Sequence, residues 1–436
     1  MKAQTLRGFR DYLPEEMLAK DQMLATIRRV FELHGYPPLM TPALEYASVL
    51  LGKIGDEEEM LLYRFLDHGE RDVALRYDLT VPLARVMAQH GGLQMPFRRY
   101  QIAPVWRAEK PAKGRFREFL QCDVDLVGVD NAVADSEMLL IGCFLLDALG
   151  VTGYSLRVGH RGILAAMIAW LGIEGGKAER DFLRTFDKLK KIGPDRFKVE
   201  IDRLLGLGGE KVDALLALAG DSGSTSEILG RLGEELGEEA AEPLGRLEEV
   251  FALVDGAGYS DHVKIDVTIA RGLSYYTGII YETFLDDMSD YGSVLSGGRY
   301  DQLIGSLSGK EFPAIGISLG VDRLFSALKE MGILAQKSSP ADVLVVQFSE
   351  SKARSSVQLA QRLRDAGISA LLYPTAAKLK KQFQFANNLQ IPYTAVIGEE
   401  EERTGTLQLK VMESGEQFQL SLEDAVKRIL SGGGGQ

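Results

Sequence analysis

Apolar residues near the N-terminus recur at helical spacing. Leu24, Ile27 and Phe31 are three or four positions apart, which places them on one face of a helix. Pro14, followed by two acidic residues, is typical of a helix start, and Gly35 is typical of the position just beyond a helix end. The pattern therefore predicts one amphipathic helix before the first strands.

Short apolar runs separated by turn residues predict strands after this helix. Leu61 to Leu66 and Val73 to Arg76 flank the turn-like stretch Asp67 to Glu70, which predicts a hairpin. Phe97 to Arg107 and Arg117 to Val127 form a second pair, joined by a charged stretch. Because both connections are short, we expect antiparallel pairing.

The chain is expected to return to this sheet after a helical insertion. Arg161 to about Gly256 is rich in Leu, Glu, Lys and Arg at helical periodicity, which predicts helices. Lys264 to Thr268, Ile279 to Phe284 and Ala314 to Gly320 are strand-like again, and a helix follows Arg323.

Strands and helices alternate in the C-terminal part, after a polar linker from Gln336 to Pro340. The predicted elements are a strand from Val343 to Gln347, a helix from Ala353 to Asp365, a strand from Ile368 to Tyr373, a helix from Lys378 to Leu389 and a strand from Tyr393 to Ile397. This alternation predicts a small α/β domain with a mainly parallel sheet.

The predicted elements divide the chain into domains. A sheet-containing domain is expected in two parts, residues 1–160 and 257–335, separated by the helical insertion at residues 161–256. The α/β domain is expected at residues 336–430, and the glycine-rich residues 431–436 are expected to form a flexible tail.

Composition narrows the class of protein. The net charge of −12 argues against indiscriminate binding of nucleic acid, although a local basic face is sufficient for a structured RNA. The two cysteines, Cys122 and Cys143, suggest neither a disulfide framework nor a thiolate metal site. We recognise no signal peptide and no apolar stretch of membrane-spanning length, so we expect a soluble cytoplasmic protein.

Two polar clusters follow from side-chain alternation along the second strand pair. Arg107 and Glu109 point to one face, where the guanidinium can bind a phosphate and the carboxylate can accept a hydrogen bond from an exocyclic amine. A plain cross-strand ion pair is the alternative. Gln121, Asp123 and Asp125 also share a face, and their acceptor oxygens suit an amino group and an N–H-bearing ring if that face lines a cavity. Exposure to solvent is the alternative for these three.

Two glycine-containing segments add further candidates. Ala270 to Gly278 combines an arginine, suited to phosphate charge, with two adjacent tyrosines that offer polar tips in an apolar wall. Ser296 to Asp301 precedes the strand Ala314 to Gly320, whose small residues leave room for a flat ligand beside Arg323. The alternatives are a turn with packed tyrosines for the first segment, and a tight turn followed by an ordinary strand-to-helix junction for the second.

The order of these features resembles the three motifs of class II aminoacyl-tRNA synthetases, namely Pro42, the pair Arg107 and Glu109, and the Gly-rich strand before Arg323. The two glycine-containing segments resemble the signatures peculiar to histidyl-tRNA synthetases, and the likeness covers essentially the whole chain. It implies an α+β fold, in which an antiparallel sheet flanked by helices is followed by a C-terminal α/β anticodon-binding domain.

The resemblance also implies activation of histidine with ATP to histidyl-adenylate, followed by transfer to the 3′ end of tRNA(His). Mg²⁺ is expected with ATP, held by phosphates and water, with no dedicated protein metal site. A homodimer is implied by the similarity around Pro42. The helix from Lys378 is implied to contact RNA, although Phe383 and Phe385 fit the core of an ordinary amphipathic helix at least as well.

Site residues are implied position by position. The implied ATP-binding residues are Thr80, Arg107, Glu109, Arg115, Arg271 and Arg323, of which Arg107 and Arg271 are the implied catalytic residues. The implied histidine-binding residues are Asp78, Gln121, Asp125, Tyr275 and Tyr276.

The sequence departs from the family pattern at two places. Ser274 stands where the family commonly has aspartate, and Gly159 with His160 replaces a pair that usually contains asparagine. A catalytically silent, histidine-sensing regulatory subunit of ATP phosphoribosyltransferase is the main alternative. A related synthetase for threonine, proline or glycine is a further one.

Overall fold

The computed structural model describes residues 3–53, 59–220, 223–270, 275–334 and 337–432. The chain forms two compact units, one made of Met1–Arg10 and Ala25–Ile333 and the other of Asp11–Leu24 and Leu334–Gln436. The helix predicted from the N-terminal pattern is confirmed as α1 (Pro14–Leu33).

The first unit contains strands β1 to β10 and most of the helices. Its strands are β1 (Leu44–Tyr46), β2 (Arg64–Leu66), β3 (Asp72–Leu75), β4 (Phe97–Trp106), β5 (Glu118–Val127), β6 (Tyr154–His160), β7 (Val263–Ile265), β8 (Ile279–Leu285), β9 (Leu295–Arg299) and β10 (Ala314–Gly320). The helices that follow α1 are α2 (Ala47–Leu50), α3 (Thr80–Gln89), α4 (Ala132–Ala148), α5 (Arg161–Leu171), α6 (Gly176–Phe186), α7 (Leu189–Ile192), α8 (Pro194–Leu205), α9 (Gly209–Leu218), α10 (Thr225–Leu236), α11 (Ala241–Gly256), α12 (Asp301–Ser308) and α13 (Val321–Glu330).

A seven-stranded sheet in the order β4-β5-β10-β9-β8-β6-β7 forms the frame of this unit. Neighbouring strands are antiparallel except β6 and β7, which are parallel. The predicted antiparallel pair β4 and β5 is confirmed, and so is the strand β10. The alternative of a tight turn at residues 296–301 is wrong, because β9 pairs with both β10 and β8 in the middle of the sheet. β7 is shorter than predicted and ends at Ile265.

The two faces of this sheet differ in polarity. On one face α4 lies so close that a Cβ at Gly142 would be 3.0 Å from Ile317 Cδ1, so that a small residue is needed there. Asn131 starts α4 by accepting a hydrogen bond from the Ala134 amide at 2.9 Å. The other face is polar, because the β5–β10 register sets Asp123 opposite Ser318.

A small sheet of order β1-β3-β2 lies in the same unit. Its strands β2 and β3 are the predicted hairpin, which is confirmed. Tyr46 and Phe65 both align with Val73 in register, and they remain 56% and 47% exposed. Leu44 and Leu66 are exposed as well. This sheet therefore presents an apolar surface to solvent.

The described part of residues 161–256, hereafter the helical segment, contains helices α5 to α11. His160 caps the start of α5, because its Nδ1 accepts a hydrogen bond from the Gly162 amide at 3.0 Å. α8 has Pro194 at its first position, where a missing amide proton costs nothing. Ser224 and Glu227 form a capping box at the start of α10.

The second unit contains a five-stranded sheet in the order β12-β11-β13-β14-β15. Its elements are β11 (Val343–Val346), α14 (Ala353–Asp365), β12 (Ala370–Leu372), α15 (Leu379–Asn388), β13 (Tyr393–Val396), α16 (Glu399–Thr404), β14 (Leu407–Val411), β15 (Gln417–Leu420) and α17 (Leu422–Gly432). The three predicted strands are parallel as expected, and β14 and β15 add an antiparallel hairpin that was not predicted.

Side chains of β11 alternate between two apolar cores. Val343 and Val345 face a cluster that includes α14 and α17, and Leu344 and Val346 face a cluster that includes α15. The predicted tail is partly wrong, because α17 extends through Ser431 to Gly432. A Cβ at position 432 would overlap the Tyr393 hydroxyl, so this exposed glycine lies beside the end of that side chain.

Candidate active site

The polar face of the seven-stranded sheet lines a cavity of about 250 Å³. Its floor includes Gln121 of β5 and Ser318 of β10, which are joined by a 2.6 Å hydrogen bond from the glutamine amide to the serine hydroxyl. Ser296 of β9 and Glu282 of β8 continue this row of polar side chains across the sheet. Solvent exposure of the β5 polar face is therefore the wrong alternative, since Gln121 is only 6% exposed.

Three arginines surround one end of the cavity. Arg107, Arg115 and Arg323 all line it, together with Glu109. The Glu109 carboxylate lies 4.0 Å from an Arg107 Nη1 and 3.5 Å from an Arg115 Nη1, so one carboxylate faces two guanidinium groups. The Arg107–Glu109 contact joins residues of one loop after β4, and a cross-strand ion pair is wrong. This end of the cavity keeps an excess of positive charge and suits an anion.

Backbone contacts fix the direction of two of these guanidinium groups. Arg107 Nε donates to the Tyr77 carbonyl at 3.1 Å, and its guanidinium carbon lies 4.2 Å from the centroid of the Tyr77 ring. Arg323 Nη1 donates to the Ser293 carbonyl. Asp322, the residue before it, accepts the Leu120 amide at 2.6 Å and so holds the start of α13 against β5.

The electrostatic cost of this cluster is visible at Arg323. Burial is the largest cause that lowers its pKa, to about 10, and the positive charges of Arg115 and Arg107 lower it further. Arg323 remains charged at neutral pH. A polyanion at this end of the cavity would relieve the repulsion, which is the usual logic of a phosphate site.

Buried acceptor oxygens lie at the other end, in the cavity lining at Gln121 and behind that lining at Asp123 and Asp78. The side-chain oxygen of Gln121, both carboxylate oxygens of Asp123 and Oδ2 of Asp78 are buried without a hydrogen-bond partner among the described residues. Burial is the largest cause that raises the pKa of Asp78 and of Asp123. Unpaired buried acceptors are costly unless a ligand donates to them, so this end suits a guest rich in N–H groups.

Tyrosines form one wall beside these acceptors. Tyr275 and Tyr276 line the cavity, and their ring centroids are 5.1 Å apart in an edge-to-face arrangement. Burial raises the pKa of both hydroxyl groups, with the nearby carboxylates adding to the effect, so each remains a hydrogen-bond donor.

Two predicted residues lie behind the cavity wall rather than in its lining. Asp78 is fully buried, and its Oδ1 accepts the Val81 amide at 3.0 Å near the start of α3. Asp125 is 2% exposed, pairs with Arg99 at 2.6 Å and accepts the Tyr300 hydroxyl at 2.5 Å. Thr80 does line the cavity, and Arg271 lies outside the described residues.

Close backbone approach makes room for the Asp125 cluster. A Cβ at Gly316 would lie 2.8 Å from Asp125 Cγ, and a Cβ at Gly298 would lie 3.0 Å from a ring carbon of Tyr276. These glycines sit in the adjacent strands β10 and β9, where the register places them side by side. Because these strand glycines lack side chains, there is space for the buried ion pair of Asp125 and Arg99 beneath the cavity floor and for the ring of Tyr276.

Sequence reasoning missed several members of the site. Arg99 was not singled out. It lies two positions before Gln101 on β4, and the strand register sets Arg99 opposite Asp125 and Gln101 opposite Asp123 on β5. Ser318 and Glu282 were missed too, and only the strand register shows that they share a face with Gln121.

No membrane-spanning helix and no metal cluster occur in the part of the chain that the structure describes. None of the described helices is both long and apolar enough to cross a bilayer. The described residues likewise contain no group of three or more His, Cys, Asp or Glu side chains placed to hold a metal ion.

Comparisons with known proteins of similar sequence and structure agree on one family. The family model for histidyl-tRNA synthetase matches residues 8–324, and a model for an anticodon binding domain matches residues 342–431. The histidine–tRNA ligase of Rhodopirellula baltica is 43% identical over 416 residues, which cover 94% of each chain. That of Wolinella succinogenes is 41% identical over 434 residues, or 98% of each chain. The crystal structure of histidyl-tRNA synthetase from Nostoc sp. PCC 7120 matches with a TM-score of 0.89 at 33% identity, over 99% of both chains.

Fold and anticodon-binding domain together place the chain among the class II aminoacyl-tRNA synthetases. The more specific family model covers well over half of the chain, and relatives at 41–43% identity match it over nearly its full length. The chain belongs to the histidyl-tRNA synthetase family.

Proposed function

We propose that this protein activates histidine with ATP to form histidyl-adenylate and then transfers the histidyl group to the 3′ end of tRNA(His). In this proposal residues 1–160 and 257–335 form the catalytic domain. Residues 161–256 form a helical insertion, and residues 336–430 bind the anticodon. The family membership and the geometry of one cavity support the proposal.

The observation that carries the proposal is the opposite chemistry of the two ends of this cavity. One end gathers Arg107, Arg115 and Arg323, and the other has buried acceptor oxygens near Gln121. Adenylate formation joins a polyanion to an amino acid that carries an ammonium and an imidazole. A single cavity with a cationic end and an acceptor-rich end brings these two substrates together.

At the cationic end, Arg107 and Arg323 hold the ATP phosphates and Arg115 assists at the far end of the nucleotide. Glu109 accepts a hydrogen bond from the adenine amine, and Thr80 also contacts ATP. The histidine carboxylate attacks the α-phosphorus, and negative charge grows on the phosphoryl oxygens as pyrophosphate leaves. Guanidinium groups fixed in a partly dry cavity stabilise that charge. We assign Arg271 to the same phosphate, on family resemblance alone.

Mg²⁺ accompanies ATP in this proposal and is held by the phosphates and water. The carboxylates that line the cavity are few, and Glu109 already faces two arginines, so the described residues fit a metal carried by the nucleotide better than a protein cage. The bound metal would neutralise phosphate charge during the displacement.

At the acceptor-rich end, Gln121 and Asp78 receive the α-ammonium group of histidine. Tyr276 and Asp125 recognise the imidazole, and Tyr275 lines the pocket. Asp125 keeps its orientation through Arg99 and Tyr300. Such polar matching can reject amino acids that lack the ring N–H groups by about 10⁴-fold, because their binding would leave buried acceptors unpaired.

The proposal extends to partners and location. RNA contacts are assigned to the second unit, where Phe385 is 37% exposed against Tyr373, while Phe383 packs partly into a core. A homodimer is supported by the exposed apolar surface of the small sheet, which includes Tyr46 and Phe65. A cytoplasmic location is proposed from membership of the histidine–tRNA ligase family.

The test is pyrophosphate exchange into ATP with each amino acid in turn, followed by charging of a tRNA(His) transcript. Exchange that depends on histidine, followed by charging, supports the proposal. Histidine binding without any exchange favours the regulatory alternative. Full exchange with threonine, proline or glycine favours the related synthetases.

A further inference from the structure

Both ends of the segment from Ala270 to Gly278 are held by residues of the helical segment. This stretch, hereafter the tyrosine segment, carries Tyr275 and Tyr276 into the cavity wall and contains Arg271 among its undescribed residues. One residue contacts both ends of it, through its backbone at one end and its side chain at the other. Arg161, the first residue of α5, donates its amide proton to the Gly278 carbonyl at 2.9 Å, and its Nη1 donates to the Ala270 carbonyl at 3.3 Å.

The chain enters the tyrosine segment through a turn organised by Asp266. Oδ1 of this residue accepts hydrogen bonds from the amide and the hydroxyl of Thr268, at 3.1 and 2.6 Å. Such a turn sets the direction in which the backbone leaves β7. The orientation of the Asp266 carboxylate therefore affects where the tyrosine segment begins.

That carboxylate is bound by the helical segment. Lys190 of the short helix α7 places its Nζ 2.7 Å from Asp266 Oδ2, and Arg157 of β6 lies 3.6 Å from the same oxygen. The Asp266 side chain is 4% exposed, so its charge depends on these cations. The Lys190 side chain is 35% exposed, and its substitution removes a charge without opening a core.

A second chain of contacts connects the helical segment to the other end. Arg246 of α11 lies 3.5 Å from Asp135, which pairs with Arg299 at 2.5 Å. Arg299 lies 3.2 Å from Asp301, and the Thr277 hydroxyl donates to Asp301 at 2.6 Å. Thr277 is thus connected to α11 through a chain of charged side chains. The tyrosine segment is fixed at its end as well as at its start.

We propose that Lys190 is a positioning residue for adenylate formation, and that its ion pair with Asp266 transmits the position of the helical segment to the tyrosine segment. Lys190 is not among the residues that line the cavity, and in this proposal it acts on the substrates only through the Asp266 turn. The inference rests on the proposed function, because adenylate formation is the reaction that it serves. It also carries a structural claim that can be tested without any activity.

The experiment compares full-length wild type with Lys190→Ala, Lys190→Arg and the matched control Lys191→Ala. Lys191 is an exposed neighbour in α7, and no ion pair is seen for it within the described structure. In histidine-dependent pyrophosphate exchange we expect kcat of Lys190→Ala to fall about tenfold, because small misplacements of reacting groups are costly. The KM values for ATP and histidine should stay within about twofold. Lys190→Arg should recover most of the rate, and Lys191→Ala should resemble wild type.

Hydrogen exchange measured by mass spectrometry supplies the readout that needs no activity. Peptides that contain Val267 and Thr268 should take up deuterium faster in Lys190→Ala than in wild type or Lys191→Ala. Unchanged kcat and unchanged uptake in Lys190→Ala would overturn the inference. So would an equal loss in Lys190→Ala and Lys190→Arg with lowered thermal stability, which indicates a merely structural role. Inactive wild type would reject the proposed function instead, and the uptake comparison would still decide whether the ion pair holds the turn.

Discussion

Gly316→Ala tests whether a glycine in β10 makes room for the buried ion pair below the cavity floor. In the register of β5 and β10, Gly316 stands opposite Asp125. A Cβ there would lie 2.8 Å from Asp125 Cγ and 3.0 Å from the Val124 carbonyl oxygen, and it would overlap the carboxylate itself. The carboxylate must move, yet it is held by Arg99 at 2.6 Å and by the Tyr300 hydroxyl.

The expected loss of stability follows from what the displaced carboxylate leaves behind. Arg99 is fully buried. Separation from Asp125 would leave the arginine charge buried without a partner, which typically costs about 3–5 kcal/mol. Partial relaxation of the strands reduces this figure. We expect Gly316→Ala to lower the free energy of unfolding of the first unit by about 3 kcal/mol.

Urea unfolding followed by tryptophan fluorescence measures this loss, because both tryptophans, Trp106 and Trp170, lie in the first unit. Gly320→Ala is the matched control in the same strand, since its added Cβ would meet its nearest atoms at 3.7 and 3.8 Å, an ordinary contact distance. A Gly316→Ala loss below about 1 kcal/mol, or one equal to that of Gly320→Ala, would refute the reasoning.

Three further predictions concern catalysis, pH and assembly. Arg323→Met should lower kcat/KM for ATP by about 10²-fold in pyrophosphate exchange. Arg115→Met should do less because that side chain is 54% exposed, and equal losses would contradict the assignment. Burial lowers the pKa of His160 from 6.5 to about 4. Between these two pH values the unfolded state binds more protons than the folded state. The free energy of unfolding should therefore fall as the pH falls through this range, by about 3 kcal/mol at most. His160→Asn should flatten that pH dependence in urea titrations, and an unchanged slope would argue against a buried neutral imidazole. Tyr46→Glu with Phe65→Glu should shift the mass measured by light scattering from dimer to monomer, whereas an intact dimer would place the interface elsewhere.

Local patterns predicted most of the elements correctly. Alternation and turn residues sufficed for β4, β5 and β10, because strands with one apolar face carry a period of two. The same reasoning left a tight turn open as an alternative at Gly297 and Gly298, whereas both lie in β9. Glycine in a strand is explained by what approaches it, here Tyr276 and neighbouring backbone, and those atoms come from distant parts of the chain.

Several residues that line the cavity were predicted from the sequence, but the contacts of the residues buried behind them were not. Polar alternation singled out Gln121 and Asp125, but it could not show that Asp125 is enclosed by Arg99 and Tyr300. These partners are distant in sequence and meet it only through strand pairing and packing. A single sequence records the side chains of a strand but not the register that decides which of them meet.

The order of strands in the large sheet also constrains when this protein can fold during its synthesis. β5 and β10 are neighbours in the sheet, yet Gln121 pairs with Gly320, and the whole helical segment is translated between them. Until β10 has left the ribosome, one edge of β5 stays unpaired and its acidic side chains remain open to water. Contacts between residues so far apart in sequence form late and slowly. Until then the unpaired edge of β5 must be kept from pairing with other strands.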